Sequence, residues 1–545
     1  IKTYMTRCIH CTRCIRFADE VAGVNQIGAL NRGENMEIST YLEKTIDSEL
    51  SANVIDLCPV GALTSKPYQF EARPWELKKT ETIDVMDAVG SNIRVDTYGW
   101  KVKRVLPRLN EDINEEWISD KTRYACDGLL TQRLDEPYIR KDNKLSVVEW
   151  SEALAKVTGY LNEYKVDEIA FLSGDLCDLE TLYLYKKLSD ALSIKNVECR
   201  QEGCNIPFTH PSQYSFNTKI ADIEKSDCIL IVGSNVRQEA PIINARIRKH
   251  KLATNVPIAV IGANLDLTFE YDHLGEDLNL LSDLISNKNN FSKIIEAAAN
   301  PMIIIGNSIL NRKDSISIFS VIEELIHKYK FLQDDWNGFN VLQIAAARTG
   351  ALNLGLYKQG SSLEKIYCAA EDDKIKLIIS LGADEINFDR LKGAKVIYIG
   401  THGDKGANKA DIILPSAAYT EKDGIYINTE GRLQYAFKAS FPPGNAKEDW
   451  KIINELSNLL DLNWDIIDLA NVRSMLQSDF SHLFNFDSSA YPKYERLLAN
   501  KAPVTNLCNS NVDYVIKDFY LTNAITRNSK TMAECSQARN ELLEQ

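Results

Sequence analysis

Four cysteines have the type and spacing of a metal centre. Cys8, Cys11 and Cys14 stand as C-x2-C-x2-C inside Thr6-Arg-Cys-Ile-His-Cys-Thr-Arg-Cys-Ile15, and Cys58 stands in Asp56-Leu-Cys-Pro-Val-Gly-Ala-Leu63. Two-residue spacers on a tight loop can turn three thiolates toward one centre. A remote Cys followed by Pro suits the fourth position, because Pro fixes φ and holds the chain turning away. Four thiolates suit a [4Fe–4S] cube, whose work is electron transfer. That work needs no acid–base group, so no catalytic residue is expected.

The spacing resembles ferredoxin-type ligation. In two-cluster ferredoxins the Cys-Pro ligand serves the other cluster; with one triplet here, Cys58 most simply completes the same cube. Zinc is the main alternative, but its sites usually pair two C-x2-4-C knuckles, or C-x2-C with His-x3-5-His, and neither occurs. A disulfide would need an oxidising compartment and compatible distances. Arg7, Arg13 and Arg16 flank the loop and could offset cluster charge, or could do nothing on a solvated loop. The remaining cysteines, among them Cys126, Cys204, Cys228 and Cys508, share no spacing, and Cys228 in its apolar run reads as buried filler.

Composition narrows the class. The 545 residues carry 63 Lys+Arg against 76 Asp+Glu, a net charge of −13, which argues against nucleic acid or an anionic membrane as main partner. Runs such as Cys228–Val232 and Met302–Ile305 are far too short to span a bilayer. Twelve cysteines are too sparse for a disulfide scaffold. Residue 1 is Ile, so a processed chain or a fragment is expected.

The elements that must position the cysteines fall into four stretches. Residues 1–77 form the cluster module, with a short helix over Phe17–Ala22. Residues 78–137 alternate as a small β-rich subdomain, with strands expected at Thr82–Met86, Asn92–Asp96 and Lys101–Leu106. Residues 138–500 alternate helical stretches, such as Asp178–Leu192 and Gln238–Lys251, with apolar runs ending in Gly: 168–174, 228–233, 257–262, 302–306, 377–382 and 396–400. Such runs with crossover helices mean parallel sheets covered on both faces, here an α/β fold of two Rossmann-like, doubly wound lobes. The turn Gly233-Ser-Asn235 is where a nucleotide phosphate would rest, though a tight connection is the commoner meaning. Residues 501–545 show no clear periodicity and read as a tail packed on a partner or on the body.

This order resembles the family of the large iron–sulfur subunit of respiratory complex I, the NADH-quinone oxidoreductase G subunit of bacteria or the 75 kDa subunit of mitochondria. Besides the cysteines, the resemblance rests on Glu239-Ala-Pro-Ile-Ile-Asn-Ala-Arg-Ile-Arg-Lys249, Tyr271-Asp-His-Leu-Gly275, Ala410-Asp-Ile-Ile-Leu-Pro-Ser-Ala-Ala-Tyr-Thr-Glu-Lys422, Asn428-Thr-Glu-Gly-Arg432 and Ile516-Lys-Asp-Phe-Tyr520. It implies Cys8, Cys11, Cys14 and Cys58 as [4Fe–4S] ligands. It implies an electron conduit from NADH and flavin in a neighbouring flavoprotein subunit toward quinone, with no NADH or quinone site in this chain. Other iron–sulfur subunits of the peripheral arm are the expected partners, and the membrane is met only through the complex. The expected place is the cytoplasmic face of the bacterial inner membrane or the matrix side of the mitochondrial one. A [2Fe–2S] cluster and a further [4Fe–4S] cluster of the family are expected only upstream of Ile1.

The body resembles molybdopterin oxidoreductases, which open this region with C-x2-C-x3-C and a later Cys. Here those positions read Asp84, Asp87 and Ser91, and only Cys126 remains. One thiolate cannot hold a cube, and carboxylates are hard ligands for it. The subdomain is therefore expected to be vestigial, without a cluster, and the body without molybdenum. Cys204 lies in roughly the region of a molybdenum ligand, but nothing around it supplies a relay. The rival readings are a catalytic molybdopterin enzyme such as a formate dehydrogenase, a hydrogenase diaphorase subunit, and a purely structural assembly subunit.

Overall fold

The six Gly-terminated apolar runs are parallel strands in the computed structural model, which describes residues 1–40, 46–204, 206, 208, 210–358, 361–484, 507 and 512–543. Cys508 and part of the expected 501–545 tail lie outside the described residues. The strands divide between two sheets. One has seven strands in the order Asn196–Glu198, Ile169–Ser173, Leu377–Leu381, Lys395–Gly400, Ile412–Pro415, Tyr138–Lys141, Lys144–Val147, the last two an antiparallel hairpin on a parallel sheet. The other has five parallel strands in the order Asp272–Gly275, Ile258–Ile261, Cys228–Val232, Pro301–Ile305, Phe339–Val341. The second lobe is inserted in the chain between two strands of the first.

Interior strands are buried along their whole length because helices cover both faces of the sheets: every residue of Ile169–Ser173 and Cys228–Val232 is buried. The expected helix at 178–192 is Leu179–Ala191, its start fixed by the Asp178 side chain accepting from the Thr181 N–H. The expected helix 238–251 is displaced to Pro241–Thr254, after a short turn Val236–Glu239. Pro241 has no N–H to continue the first turn but suits the first position of the next. Edge strands such as Asn196–Glu198 and Asp272–Gly275 escape sequence patterning because they are short and partly polar.

The β-rich subdomain is a three-stranded antiparallel sheet, Lys78–Ile83, Asn92–Tyr98 and Lys101–Pro107. Its first strand ends at Ile83, short of the expected Met86. The Asp84 N–H donates instead to the Ser91 carbonyl (2.8 Å), closing an 84–91 loop that buries Val85 and Met86.

Beyond Lys501 the described residues form two helices that periodicity did not announce, Ala524–Arg527 and Lys530–Leu543. They pack on the body, with Phe519 and Met532 fully buried. This segment touches every part of the fold. The Tyr514 hydroxyl accepts from the Ala263 N–H of the five-stranded lobe (3.1 Å), and Arg527 pairs with Glu385 (2.7 Å) and Asp404 (2.5 Å) of the seven-stranded lobe. Thr531 donates to Asp127, Glu534 meets Lys66, and Arg539 meets Glu49 of the N-terminal module. Among the described residues no helix is long and apolar enough to cross a membrane.

Candidate metal centre

Two local devices bring the cysteine segments together. Lys2–Thr3 pairs antiparallel with Leu63–Thr64, and the Tyr4 N–H donates to the Ala62 carbonyl (2.7 Å), so the chain just after Cys58 lies against the chain just before Cys8. Cys8, Cys14 and Cys58, all half-buried, then pack on one apolar core with Phe17, Val54 and Leu63. Cys11 is exposed.

The triplet loop turns sharply. His10 and Thr12 both take left-handed backbone (φ +53° and +59°), an uncommon state for residues with a Cβ. Thr12 leads into the helix Arg13–Arg16 that carries Cys14. The His10 N–H points at the Cys8 Sγ (3.4 Å), while the His10 ring is on the exposed side of the loop. Burial pushes the Cys14 thiol up, and the neighbouring Cys11 and Cys8 push it the same way. Several thiolates this close together need a cation to share.

Cys58 caps the helix Asn53–Leu57. Burial alone would raise its pKa, but the backbone N–H groups of Leu63, Val60, Ala62 and Gly61 outweigh that and hold it below the usual thiol value. A ring of N–H donors around a sulfur is the environment that stabilises a cluster-ligating thiolate and tunes its potential. Of the flanking arginines, Arg16 is engaged by Glu20 (3.0 Å) and Arg7 lies over the Tyr4 ring. Donor chemistry thus fits a thiolate-bound cluster. Among the described residues, however, no three His, Cys, Asp or Glu side chains converge closely enough to grip a single metal ion.

The positions where catalytic relatives would hold a second cluster are filled by charge. Asp84 and Asp87 are buried with Lys121, whose ammonium donates to the Thr522 hydroxyl (3.3 Å) and lies over the Phe519 ring (4.9 Å). The Thr122 hydroxyl donates to Asp84 (2.9 Å) and the Val89 N–H to Asp87 (2.9 Å). Burial, reinforced by Asp87, pushes the Asp84 carboxyl up to about 7. Burial likewise pushes the Cys126 thiol up to about 12, and the neighbouring Asp127 pushes it the same way. Lys121 and Thr122 were not singled out from the sequence, because nothing in their local pattern marks them as facing Asp84.

The carboxyl ends of the parallel strands, where doubly wound folds place their ligands, are lined in both lobes by the chain's own acidic side chains. In the seven-stranded lobe the crevice is lined by Asp175, Asp384, Glu385 and Asp449, and Asn523, Ala524 and Ile525 enter it from the C-terminal segment. Its cations are already paired: Lys422 with Asp178 (2.7 Å) and Asp449, Arg348 with Asp175 (3.0 Å) and Glu202. Carboxylates and spent cations do not suit a pyrophosphate-bearing cofactor, so the residues present do not fit a pterin dinucleotide. Cys204 is buried, with its thiol pushed up to about 11 by burial. In the five-stranded lobe the Gly233-Ser-Asn235 turn is a tight connection. Glu239 sits where a phosphate would, accepting from the Ser234 hydroxyl (2.7 Å) and the Asn235 N–H (3.3 Å).

Comparison with known proteins follows the same division. The molybdopterin oxidoreductase family matches residues 133–459, and the solved acetylene hydratase of Pelobacter acetylenicus shares the fold (TM-score 0.53, 14% identity, 75% of this chain and 72% of that one). The body therefore defines a protein of the molybdopterin-oxidoreductase fold class. Residues 1–64 match the ferredoxin-like domain of NADH-quinone oxidoreductase subunit 3, residues 77–127 the NDSU1/NuoG-like 4Fe-4S domain of NADH-ubiquinone oxidoreductase, and residues 491–535 the C-terminal family of the NADH-ubiquinone oxidoreductase G subunit. The NADH-quinone oxidoreductase G subunit of Rickettsia bellii is 44% identical over 99% of this chain and 78% of its own length. The mitochondrial NADH-ubiquinone oxidoreductase 78 kDa subunit of Neurospora crassa is 44% identical over 99% of this chain and 73% of its own. The chain belongs to the family of the NADH-quinone oxidoreductase G subunit.

Proposed function

We propose that this chain carries electrons through one [4Fe–4S] cluster held by Cys8, Cys11, Cys14 and Cys58. As a member of the G-subunit family it is an electron-transfer subunit of NADH:quinone oxidoreductase and works within a multi-subunit assembly. The observation that carries the ligand assignment is the convergence of the two cysteine segments on one apolar core, with backbone N–H donors around Cys58. When bound, the cluster supplies one-electron redox chemistry. The chain's own part is to favour the Cys58 thiolate through the nearby backbone N–H groups and to screen the site from water on one side through Phe17, Val54 and Leu63.

The cluster count in this chain is one, and molybdenum is absent. Asp84, Asp87 and Ser91 support the first statement, although the family matching residues 77–127 is described as a 4Fe-4S domain. The acidic lining of the crevice supports the second. Electrons come from the flavoprotein subunit and leave to neighbouring iron–sulfur subunits, on the cytoplasmic face of a bacterial inner membrane or the matrix side of a mitochondrial one. The catalytic molybdenum reading is disfavoured.

Cys11→Ala tests the assignment. Cys11 is exposed and carries no packing role, so the fold should stand while cluster iron, acid-labile sulfide and the reduced-cluster EPR signal are lost. An unchanged spectrum in the variant refutes the ligand set.

A further inference from the structure

Every Phe, Trp or Tyr exposed among the described residues belongs to the three-stranded sheet, to the segment leading into it, or to the 435–441 segment tied to it. Phe70, Trp75, Tyr98, Trp100, Phe437 and Phe441 are 50–92% exposed, and Tyr435 is 46% exposed. All belong to the end of the three-stranded sheet where its second hairpin turns, or to segments tied to that sheet. Tyr98 and Trp100 flank Gly99 at the hairpin tip, and Lys78, three residues after Trp75, pairs with Thr97 beside Tyr98. Phe70 is carried next to Glu71, which holds Lys103 of the third strand (2.6 Å). The second segment is fastened by the Phe437 N–H to the Thr82 hydroxyl (3.1 Å) and by the Ser440 hydroxyl to the Trp100 carbonyl.

The same sheet reverses the charge of the chain. The three strands carry six basic residues (Lys78, Lys79, Arg94, Lys101, Lys103, Arg104) against two acidic ones (Glu81, Asp96), in a protein of net charge −13. Arg94 and Arg104 are spent on the buried Asp96 and Lys103 on Glu71, whereas Lys78, Lys79 and Lys101 have no carboxylate partner among the described residues. Bare aromatics gathered on one face are the residues that anchor protein interfaces, and a rim of unpaired lysines selects an oppositely charged partner.

We infer that this aromatic, lysine-rimmed end of the vestigial subdomain is an interface for a neighbouring protein subunit whose facing surface is acidic with apolar recesses. The lost cluster left the subdomain without redox work, and its outer face serves assembly. The choice of a subunit of the same oxidoreductase as occupant rests on the functional reading above. The aromatics fill the recesses, and Lys79 and Lys101 meet carboxylates at the rim.

Hydroxyl-radical footprinting read by mass spectrometry tests this on the full chain, alone and within the assembled oxidoreductase. Oxidation of Trp75, Trp100, Phe437 and Phe441 should fall about ten-fold on assembly, as for side chains excluded from water at an interface core. Exposed Leu252 serves as the reference. Lys79→Glu with Lys101→Glu, both on the solvent side, should slow association about ten-fold at low salt and little at high salt. Equal oxidation of the four aromatics in the assembly and in the free chain overturns the inference. So does protection of the free chain by vesicles of anionic lipid alone, which would make the face a membrane contact. Protection that grows with the concentration of the free chain overturns it in favour of a second copy. Cluster EPR on the same samples separates the readings: a missing signal with protected aromatics sinks the electron-carrier assignment and leaves the interface standing, and the converse sinks the interface alone.

Discussion

Cys58 and Cys126 are chemically the same side chain in opposite states. The first is surrounded by four backbone N–H groups that favour its thiolate; the second is buried beside Asp127, which opposes one. Cys126→Ser should therefore leave cluster iron and the EPR spectrum unchanged, and loss of either would mean that Cys126 is a ligand after all. Lys121 makes a second test. Among the described residues it is the one cation facing the buried pair Asp84 and Asp87, so Lys121→Met strands two carboxylates and should cost about 3–5 kcal/mol at pH 8. The pH dependence has a fixed sign. Asp84 titrates near 7 when folded and near 3.8 when unfolded, so the folded state holds the extra proton between those values. Its contribution to stability is greatest below about pH 4 and is lost as pH rises through 7. Removing Lys121 steepens that loss, and the variant's thermal midpoint should lie closer to wild type at pH 5 than at pH 8. A pH-independent deficit would assign Lys121 a packing role only. The sequence marked Asp84 and Asp87 as what is missing, but not Lys121 as what replaced it. A compensating charge that far along the chain has no local signature.

At the scale of elements, what could be read was what periodicity encodes. Six buried strands announced themselves because both faces of Ile169–Ser173 or Cys228–Val232 must be apolar. The edge strands did not, since one flank of an edge meets solvent or loops and needs no continuous apolar run. The first strand of the β-rich subdomain was misjudged at its end because Val85 and Met86 are apolar for a different reason: they pack beneath the 84–91 loop. The C-terminal helices were missed because their buried residues bind polar groups as much as apolar ones. Arg527 is the clearest case, locked between Glu385 and Asp404 across about a hundred and forty residues of chain. Arg527→Met removes the cation that the C-terminal segment supplies to this pair and leaves Glu385, whose carboxyl burial already pushes up, poorly compensated. A loss of about 2–4 kcal/mol is expected. Denaturant unfolding checks it, and a change below about 0.5 kcal/mol, within the range of ordinary surface substitutions, would show that the crevice does not depend on the plug.

At the scale of the whole molecule, the fold has the architecture of the molybdopterin-oxidoreductase class, and the carboxyl ends of its two sheets are lined by the chain itself: Glu239 at one, acidic residues and the C-terminal segment at the other. Metal analysis of the assembled oxidoreductase should accordingly find iron and no stoichiometric molybdenum in this chain; molybdenum at one per chain would restore the catalytic reading. The α/β class and the two lobes were legible from strand and helix alternation. That one lobe interrupts the other was not, because strand order in a sheet is set by which crossovers can pack and not by any local pattern.

The reach of the C-terminal segment also sets an order of events during synthesis. Glu534 fastens Lys66, a residue made 468 positions earlier in the chain, and Arg539 fastens Glu49. At ribosomal rates the interval between Cys58 and Arg539 is roughly 25–100 s. Throughout that time the cysteine segments have emerged but the last clasp on their module has not. Nascent chain halted before Val512 should expose the module to protease and to iron–sulfur donors alike, and emergence of residues 512–543 should end both together. The loading of metal and the docking of the C-terminal segment are thereby made competing clocks in the life of this protein.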